Sequence, residues 1–436
     1  MPHALEWRCN WTWRSELNVE IESDADRVSL SMFLEVFASE REMNEYDVIV
    51  VGAGPAGLVS AAALANDGHQ VLVLEGNQGI ERNLRGSTFH PSTLDMLEAG
   101  FGVASQLRQR GLEAPLVQYR RHGRGKIAEF DFGDIRDRTE HPFRVQAEQY
   151  KLCEALYDYL KPLANVSVRF SAHVSRVDLA PNCAEVSLDN GVAYRSRYVV
   201  GADGAGSQVR KSMDVQFEGF TWPERFLVVS TPFDFASSMP DLASVSYVAD
   251  PDEWYFLLRV PELWRVMFPI EESESDEIAL DGDRIEQRLQ RVCPRNEPYT
   301  IAHTTLYNVH QRVASNYREG RAVLVGDAAH VNNPLGGMGM NGGIHDAFNL
   351  AEKLTRVLDG SQPDSMLDKY NDERRGVALR YVQEISIQNK RDLEAKSVEA
   401  QRQFETRLTD TASDIDKRRS LLLRLSMISS LATNRH

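Results

Sequence analysis

Residues 46–75 constrain the fold more than any other part of the chain. Val48 to Val51 is an apolar, β-branched run without alternation, so Tyr46 to Val51 reads as a buried strand. Leu58 to Asn66 reads as a helix, with Gly68 placed to end it. Between them stands Gly52-Ala53-Gly54-Pro55-Ala56-Gly57. Gly52 permits a tight turn, Gly54 lets backbone amides approach a pyrophosphate, and Gly57 lets helix and strand pack closely. Ala56 lies with them in the loop, and the helix N-terminus that follows offers free N–H groups and a partial positive charge to phosphate. A second strand, Gln70 to Leu74, ends in Glu75, 23 residues after Gly52. An acid about 20 residues on is where adenosine ribose hydroxyls are bound. Strand, loop, helix, strand and acid together read as a dinucleotide site. The loop alone does not separate NAD from FAD.

Two later signatures make that separation through a family resemblance. Gly201-Ala202-Asp203-Gly204-Ala205-Gly206-Ser207-Gln208-Val209-Arg210 resembles the Asp-Gly motif of class A (single-component) flavoprotein aromatic hydroxylases. Arg321 to His330, containing Gly326-Asp327-Ala328-Ala329, resembles their Gly-Asp motif, in which the aspartate binds the ribityl chain of FAD. The likeness runs from about Tyr46 to Arg375. It implies a para-hydroxybenzoate hydroxylase-like α/β fold: a Rossmann-like (GR2-type) FAD domain, an inserted and mostly antiparallel substrate sheet, and a helical C-terminus. Val323 to Val325 has the buried-strand pattern, and an aspartate at the carboxyl end of such a strand faces the ligand crevice of an open α/β sheet. Asp327 alternatively caps the next helix, and Asp203 alternatively makes a turn. Ser207 and Arg210 at the family spacing favour cofactor binding.

After the Gly-Asp motif comes Pro334-Leu335-Gly336-Gly337-Met338-Gly339-Met340-Asn341-Gly342-Gly343. Five glycines in eight residues are costly to order. They read as backbone lying flat against a planar ring, feeding a helix evident from Phe348 on, with Leu350, Leu354 and Leu358 at four-residue spacing. In the family that helix N-terminus stabilises reduced flavin, and a proline matching Pro334 lies beside the flavin C4a carbon. The resemblance thus assigns the ring site to Pro334, Gly336, Gly337, Met340 and Asn341. It also matches Arg85 to an arginine near the flavin and Gln146 to a glutamine bonding the ribityl chain. Pro334 and Arg85 are the catalytic candidates. His90, His330 and His345 are weighed as catalytic, against the plainer reading of hydrogen-bond partners beside glycine-rich backbone.

Ser244 to Val248, Trp254 to Val260 and Trp264 to Ile270 read as strands of a meander rich in aromatics, joined by Leu116 to Asp131. Such a sheet suits a planar organic substrate, although most of these aromatics read equally as core or sheet-pair residues. Tyr255, Leu257 and Arg259 share one face. The expected division is an N-terminal extension (1–42) outside the chemistry, an FAD domain (43–115, 143–215 and 306–375), a substrate domain (116–142 and 216–305) and a helical region (376–436). Leu421 to Ile428 is expected to pack in a core or dimer interface rather than touch a membrane.

The net charge of −15 argues against nucleic acid or anionic membrane as partners. Four scattered cysteines without a C-x-x-C indicate neither a metal site nor a disulfide framework and suit a cytoplasmic protein. Val48 to Ala65 is apolar, but its glycines make it a buried α/β element rather than a membrane span.

The resemblance implies a monomeric or homodimeric monooxygenase that takes NADH or NADPH, O2 and a small aromatic or heteroaromatic, phenol-like substrate. Oxygen would be transferred by a flavin C4a-hydroperoxide, so the cofactor carries the chemistry. The rivals are a halogenase, an epoxidase or reductase of the same fold, and a non-catalytic flavoprotein. No lysine lies between Gly52 and Arg124, and Trp11-Thr12-Trp13 matches the halogenase W-x-W-x-I-P signature only superficially and ahead of the FAD motifs.

Overall fold

The computed structural model describes residues 45–83, 86–394 and 397–432. The N-terminal extension, with Trp11 and Trp13, and the Arg85 candidate fall outside them.

The first sheet contains β1 (Glu45–Val51), β2 (Val71–Leu74), β8 (Val166–Arg169), β11 (Ala193–Gly201), β17 (Arg318–Glu319) and β18 (Ala322–Leu324). Their order is β17-β18-β11-β1-β2-β8, parallel from β18 through β8. A hairpin of β9 (Val174–Leu179) and β10 (Ala184–Leu188) joins β11 antiparallel. Parallel strands covered on both faces need continuous apolar runs, and Val48 to Val51, Val71 to Leu74 and Ala322 to Leu324 are buried along their length. Helix α1 (Pro55–Asn66) follows β1, and its small residues Gly57, Ala61, Ala62 and Ala65 are buried.

Two further sheets complete the β-structure. The larger runs β19 (His330–Val331), β16 (His303–Ala314), β12 (Phe217–Thr231), β15 (Trp264–Ile270), β14 (Tyr255–Arg259), β13 (Val245–Ala249), β5 (Leu116–Arg121), β6 (Gly125–Asp131). All its pairings are antiparallel except β13 with β5. The smaller runs β3 (Thr88–Phe89), β7 (Arg144–Gln146), β4 (Leu112–Ala114).

Alternation on β14 splits the large sheet's faces. Tyr255 and Leu257 join a core with Ile285 and Leu289 of α4 (Gly282–Val292), after α2 (Pro91–Phe101) and α3 (Gln208–Ser212) in the chain. Leu258 and Phe256 turn the other way, into a cluster with Tyr119, Phe130, Tyr247, Leu335, Phe404, Leu422 and Leu425. That second face is roofed by α7 (Glu384–Leu393), α8 (Val398–Ser413) and α9 (Ile415–Leu425), whereas α5 (Met338–Leu358) and α6 (Met366–Val377) pack into the core of the first sheet. Leu422 and Leu425 are therefore core residues, as the sequence suggests. Among the described residues no helix is long and apolar enough to cross a membrane.

The glycine-rich segment differs from expectation. Helix α5 begins at Met338, so Gly339, Gly342 and Gly343 lie in its first turns rather than in a loop. Their smallness serves packing. A Cβ on Gly343 would lie 2.8 Å from Gly326 Cα, and one on Gly342 would lie 3.1 Å from the His330 ring.

Candidate active site

Three neighbouring parallel strands, β18, β11 and β1, end level with one another. Val51 pairs with Gly201, and Gly201 with Leu324. Each strand feeds one of the three motifs, so turns separated by more than a hundred residues in the chain meet at one sheet edge. This is the carboxyl edge, where open α/β sheets bind ligands.

The first turn leaves no room for side chains. Gly52 has φ +104°, and a Cβ there would sit 2.4 Å from the Ala202 carbonyl oxygen. A Cβ on Gly57 would sit 2.0 Å from the Gly52 carbonyl oxygen. Gly54 has nothing within 4 Å of a Cβ position, so its side of the turn is open. Glu75 accepts the Ala53 N–H at 2.7 Å and the Asn77 N–H at 2.9 Å. It braces the loop from the end of β2.

The second turn is braced by its own side chains. Asp203 accepts from Ser207 Oγ and from the N–H groups of Gln208 and Val209, at 2.5, 2.6 and 3.1 Å. Ser207 in turn caps α3 by accepting the Arg210 N–H. Arg210 donates to the carbonyls of Ala205 and Ala328 and lies 3.9 Å over the Phe217 ring. It thereby ties the second motif to the third.

In the third turn Gly326 has φ +61° and packs on Ala56 and Gly343. Asp327 is exposed at the end of β18. Behind it Asp346, 0% exposed, accepts from Arg374 Nε at 2.6 Å, His330 Nε2 at 3.0 Å and the Gly326 N–H at 3.2 Å. Burial alone would raise this carboxyl, but Arg374 and His330 outweigh it and hold it at about 2. His330 is thus part of a buried ion-pair cluster that fixes the turn.

His90 and His345 are also structural. His90 Nε2 lies 2.9 and 3.0 Å from the carbonyls of Gly336 and Gly337. Carbonyls only accept, so the proton sits on Nε2. Asn341 accepts the backbone N–H of His90 and donates to the carbonyls of Thr88 and Gly337, which uses both of its donors. The Gly337 N–H bonds the Pro334 carbonyl, closing the turn, and Met340 packs near Gly86.

His345 Nε2 lies 3.0 Å from Thr93 Oγ1 and 3.3 Å from Ser92 Oγ. Burial first, then the Arg374 charge, lowers its pKa from 6.5 to about 3. As pH falls below 6.5, the unfolded chain gains a proton at His345 that the folded chain refuses. Its stabilisation is complete above 6.5 and is lost at about 1.4 kcal/mol per pH unit on the way down. Burial lowers His90 as well, with the same sign. His345→Gln is expected to flatten urea midpoints measured between pH 6.5 and about 4 by that slope. An unchanged slope would mean that native His345 titrates freely.

Gln146 tests whether a flavin nucleotide fits. It is 0% exposed, its Oε1 accepts from Thr88 Oγ1 at 2.7 Å, and its Nε2 has no partner among the described residues. A buried amide N–H without an acceptor is costly, and a ribityl hydroxyl would satisfy it. The collision-free opening at Gly54 and the carboxylate of Asp327 complete a donor and acceptor set suited to a pyrophosphate and a polyol. The residues fit FAD.

Sequence reasoning missed Arg144 and Tyr119. Tyr247 Oη accepts the Gly336 N–H at 3.1 Å and feels the Arg144 charge, while Tyr119 stacks on Tyr247 at 5.3 Å. The available signal was position: Arg144 stands two residues before Gln146 on β7, on the same strand face.

Known proteins agree with this geometry. The FAD binding domain family matches residues 45–385. Para-nitrophenol 4-monooxygenase of a Pseudomonas species is 34% identical over 351 residues, covering 78% of this chain and 86% of that one. The 6-hydroxy-3-succinoylpyridine 3-monooxygenase of Pseudomonas putida is 32% identical, covering 86% and 96%. The crystal structure of p-nitrophenol 4-monooxygenase PnpA from Pseudomonas putida superposes with a TM-score of 0.82 at 29% identity, over 88% of this chain and 99% of that one. The chain belongs to the class A FAD-dependent aromatic hydroxylases.

Proposed function

We propose that the protein hydroxylates a small phenol-like aromatic or heteroaromatic compound, using NADH or NADPH and O2. The Nε2 of buried Gln146, without a partner among the described residues and next to Thr88, which packs against Gly337, is the observation that supports FAD on this chain's own residues. The relatives that act on a nitrophenol and on a hydroxypyridine supply the substrate class.

In this reading Gly52, Gly54, Ala56 and Gly57 present backbone N–H groups and the α1 N-terminus to the pyrophosphate. Glu75 retains lone pairs beyond those used by Ala53 and Asn77 and takes the adenosine ribose. Asp327 and Gln146 hold the ribityl chain. Asp203, Ser207 and Arg210 act one step back, by fixing the turns that line the site. Pro334, Gly336, Gly337 and Met340 form the backbone wall at the ring, and Asn341 clamps that wall to β3. Arg85 keeps its assignment near the flavin. Bound FAD supplies the redox chemistry, with electrons from NAD(P)H and one oxygen atom of O2 delivered to the ring. The first sheet carries the cofactor domain, and the large sheet with its helical roof forms the substrate side and excludes water.

The test is NAD(P)H oxidation by the purified yellow protein against phenols, hydroxypyridines and aromatic acids. The expected result is oxidation stimulated by one class, with a product heavier by one oxygen atom in mass spectrometry. Stimulated oxidation that never yields an oxygenated product, across the whole panel, would overturn the reading.

A further inference from the structure

We propose that Arg144 is the receptor for an oxyanion carried by the aromatic substrate, either a phenolate or an arylcarboxylate. The proposal rests on the monooxygenase reading for the aromatic ring and on the structure for the charge.

Arg144 is 1% exposed and has no carboxylate within ion-pair distance among the described residues. It meets the Leu425 carbonyl at 3.3 Å and the Phe132 ring at 5.3 Å, its charge acts on Tyr247, and its Nε has no partner among the described residues. Taking a guanidinium out of water costs several kcal/mol, and a carbonyl, a phenol and a ring face return only part of that. Its titratable neighbours do not supply an anion. Burial keeps Tyr119 and Tyr247 protonated and His90 neutral. Asp392, which acts on Tyr119, is paired with Arg407 at 2.5 Å.

The surroundings point to where the missing anion belongs. Arg144 and Gln146 share one face of β7, about 7 Å apart by strand geometry. The strand therefore presents Gln146 to the cofactor and Arg144 one step further along. Tyr247, on which the Arg144 charge acts, accepts the Gly336 N–H in the loop assigned to the ring. Its oxygen accepts from Gly336, so its own proton is left to donate. Arg144 and Tyr247 thus offer convergent donors beside stacked aromatic rings of Tyr119, Tyr247 and Phe256, a setting for a flat anion.

Three probes of one size separate charge from shape: 4-nitrophenol, 4-nitrobenzoate and the neutral methyl ether 4-nitroanisole. Each is titrated into FAD-loaded wild type, Arg144→Met and Arg144→Lys while flavin absorbance and fluorescence are followed. At least one anion is expected to bind wild type more tightly than the ether, and which one identifies the oxyanion. Arg144→Met is expected to weaken that anion roughly 10- to 100-fold, as for hydrogen bonds to charged groups, and to leave the ether unchanged. Arg144→Lys is expected to restore part of the loss, because it keeps the charge without the fork. Equal losses for all three probes, or a wild type indifferent to charge, would overturn the proposal. Arg144-dependent anion binding without oxygenated product would support it while removing the monooxygenase reading, so the two failures are distinguishable.

Discussion

Arg374→Met is expected to cost about 3–5 kcal/mol of stability, the range for breaking one side of a buried ion pair. Both partners are enclosed: Arg374 is 2% exposed and Asp346 is 0% exposed. Removing the guanidinium leaves a carboxylate held at about 2 by its cations with only His330 and the Gly326 N–H as donors. The damage reaches the cofactor site, because Asp346 fixes Gly326 and Gly326 precedes Asp327. Urea midpoints of the FAD-loaded protein and its flavin content after gel filtration are expected to fall together. The double variant Arg374→Met with Asp346→Asn removes the stranded charge and is expected to lie closer to wild type than Arg374→Met alone. If the two single costs simply add, the pair does not act as a unit and the brace is not electrostatic.

The legible parts of this fold are those written in contiguous residues. Strand, glycine turn and helix from Tyr46 to Asn66 depend on neighbours in sequence, and the structure has β1 and α1 there. The meander strands were legible from aromatic runs between Asp-Pro and Pro-Glu breaks. Illegible features depend on distant partners. Arg144 becomes a buried cation only because the Leu425 carbonyl, 281 residues later, closes over it. Tyr119 and Tyr247 meet only because β5 and β13 pair in parallel, opposing these two residues. The position of Asn341 was legible, but the use of its side chain was not, since His90 and Thr88 claim it from 251 and 253 residues away. The glycines of α5 read as loop in the sequence because their cost in a helix is local, whereas the Gly326 and His330 contacts that reward them are not.

Gly57→Ala and Gly54→Ala are expected to separate packing from ligand approach within one turn. In a helix, alanine is favoured over glycine by about 1 kcal/mol, so Gly57→Ala would stabilise α1 if space allowed. It does not: the new Cβ would lie 2.0 Å from the Gly52 carbonyl oxygen and 3.1 Å from the Gly52 carbonyl carbon. Real atoms do not approach so closely, and the obstacle is backbone, so the turn itself must move. Overpacking of this kind costs about 1–3 kcal/mol, which outweighs the propensity gain. Gly57→Ala is therefore expected to lower the melting temperature of the FAD-free protein and to weaken FAD roughly 10- to 100-fold. Gly54 differs in the one respect that matters: its φ is −74° and nothing among the described residues lies within 4 Å of its Cβ position. Gly54→Ala is expected to leave the FAD-free protein as stable as wild type and still to weaken FAD, because the methyl group would occupy space that only the ligand uses. The comparison is decided by isothermal titration of FAD into each stripped protein alongside its melting curve. Wild-type FAD affinity in Gly54→Ala would mean that no ligand backbone passes close to this residue, and the pyrophosphate would have to be placed elsewhere along the turn.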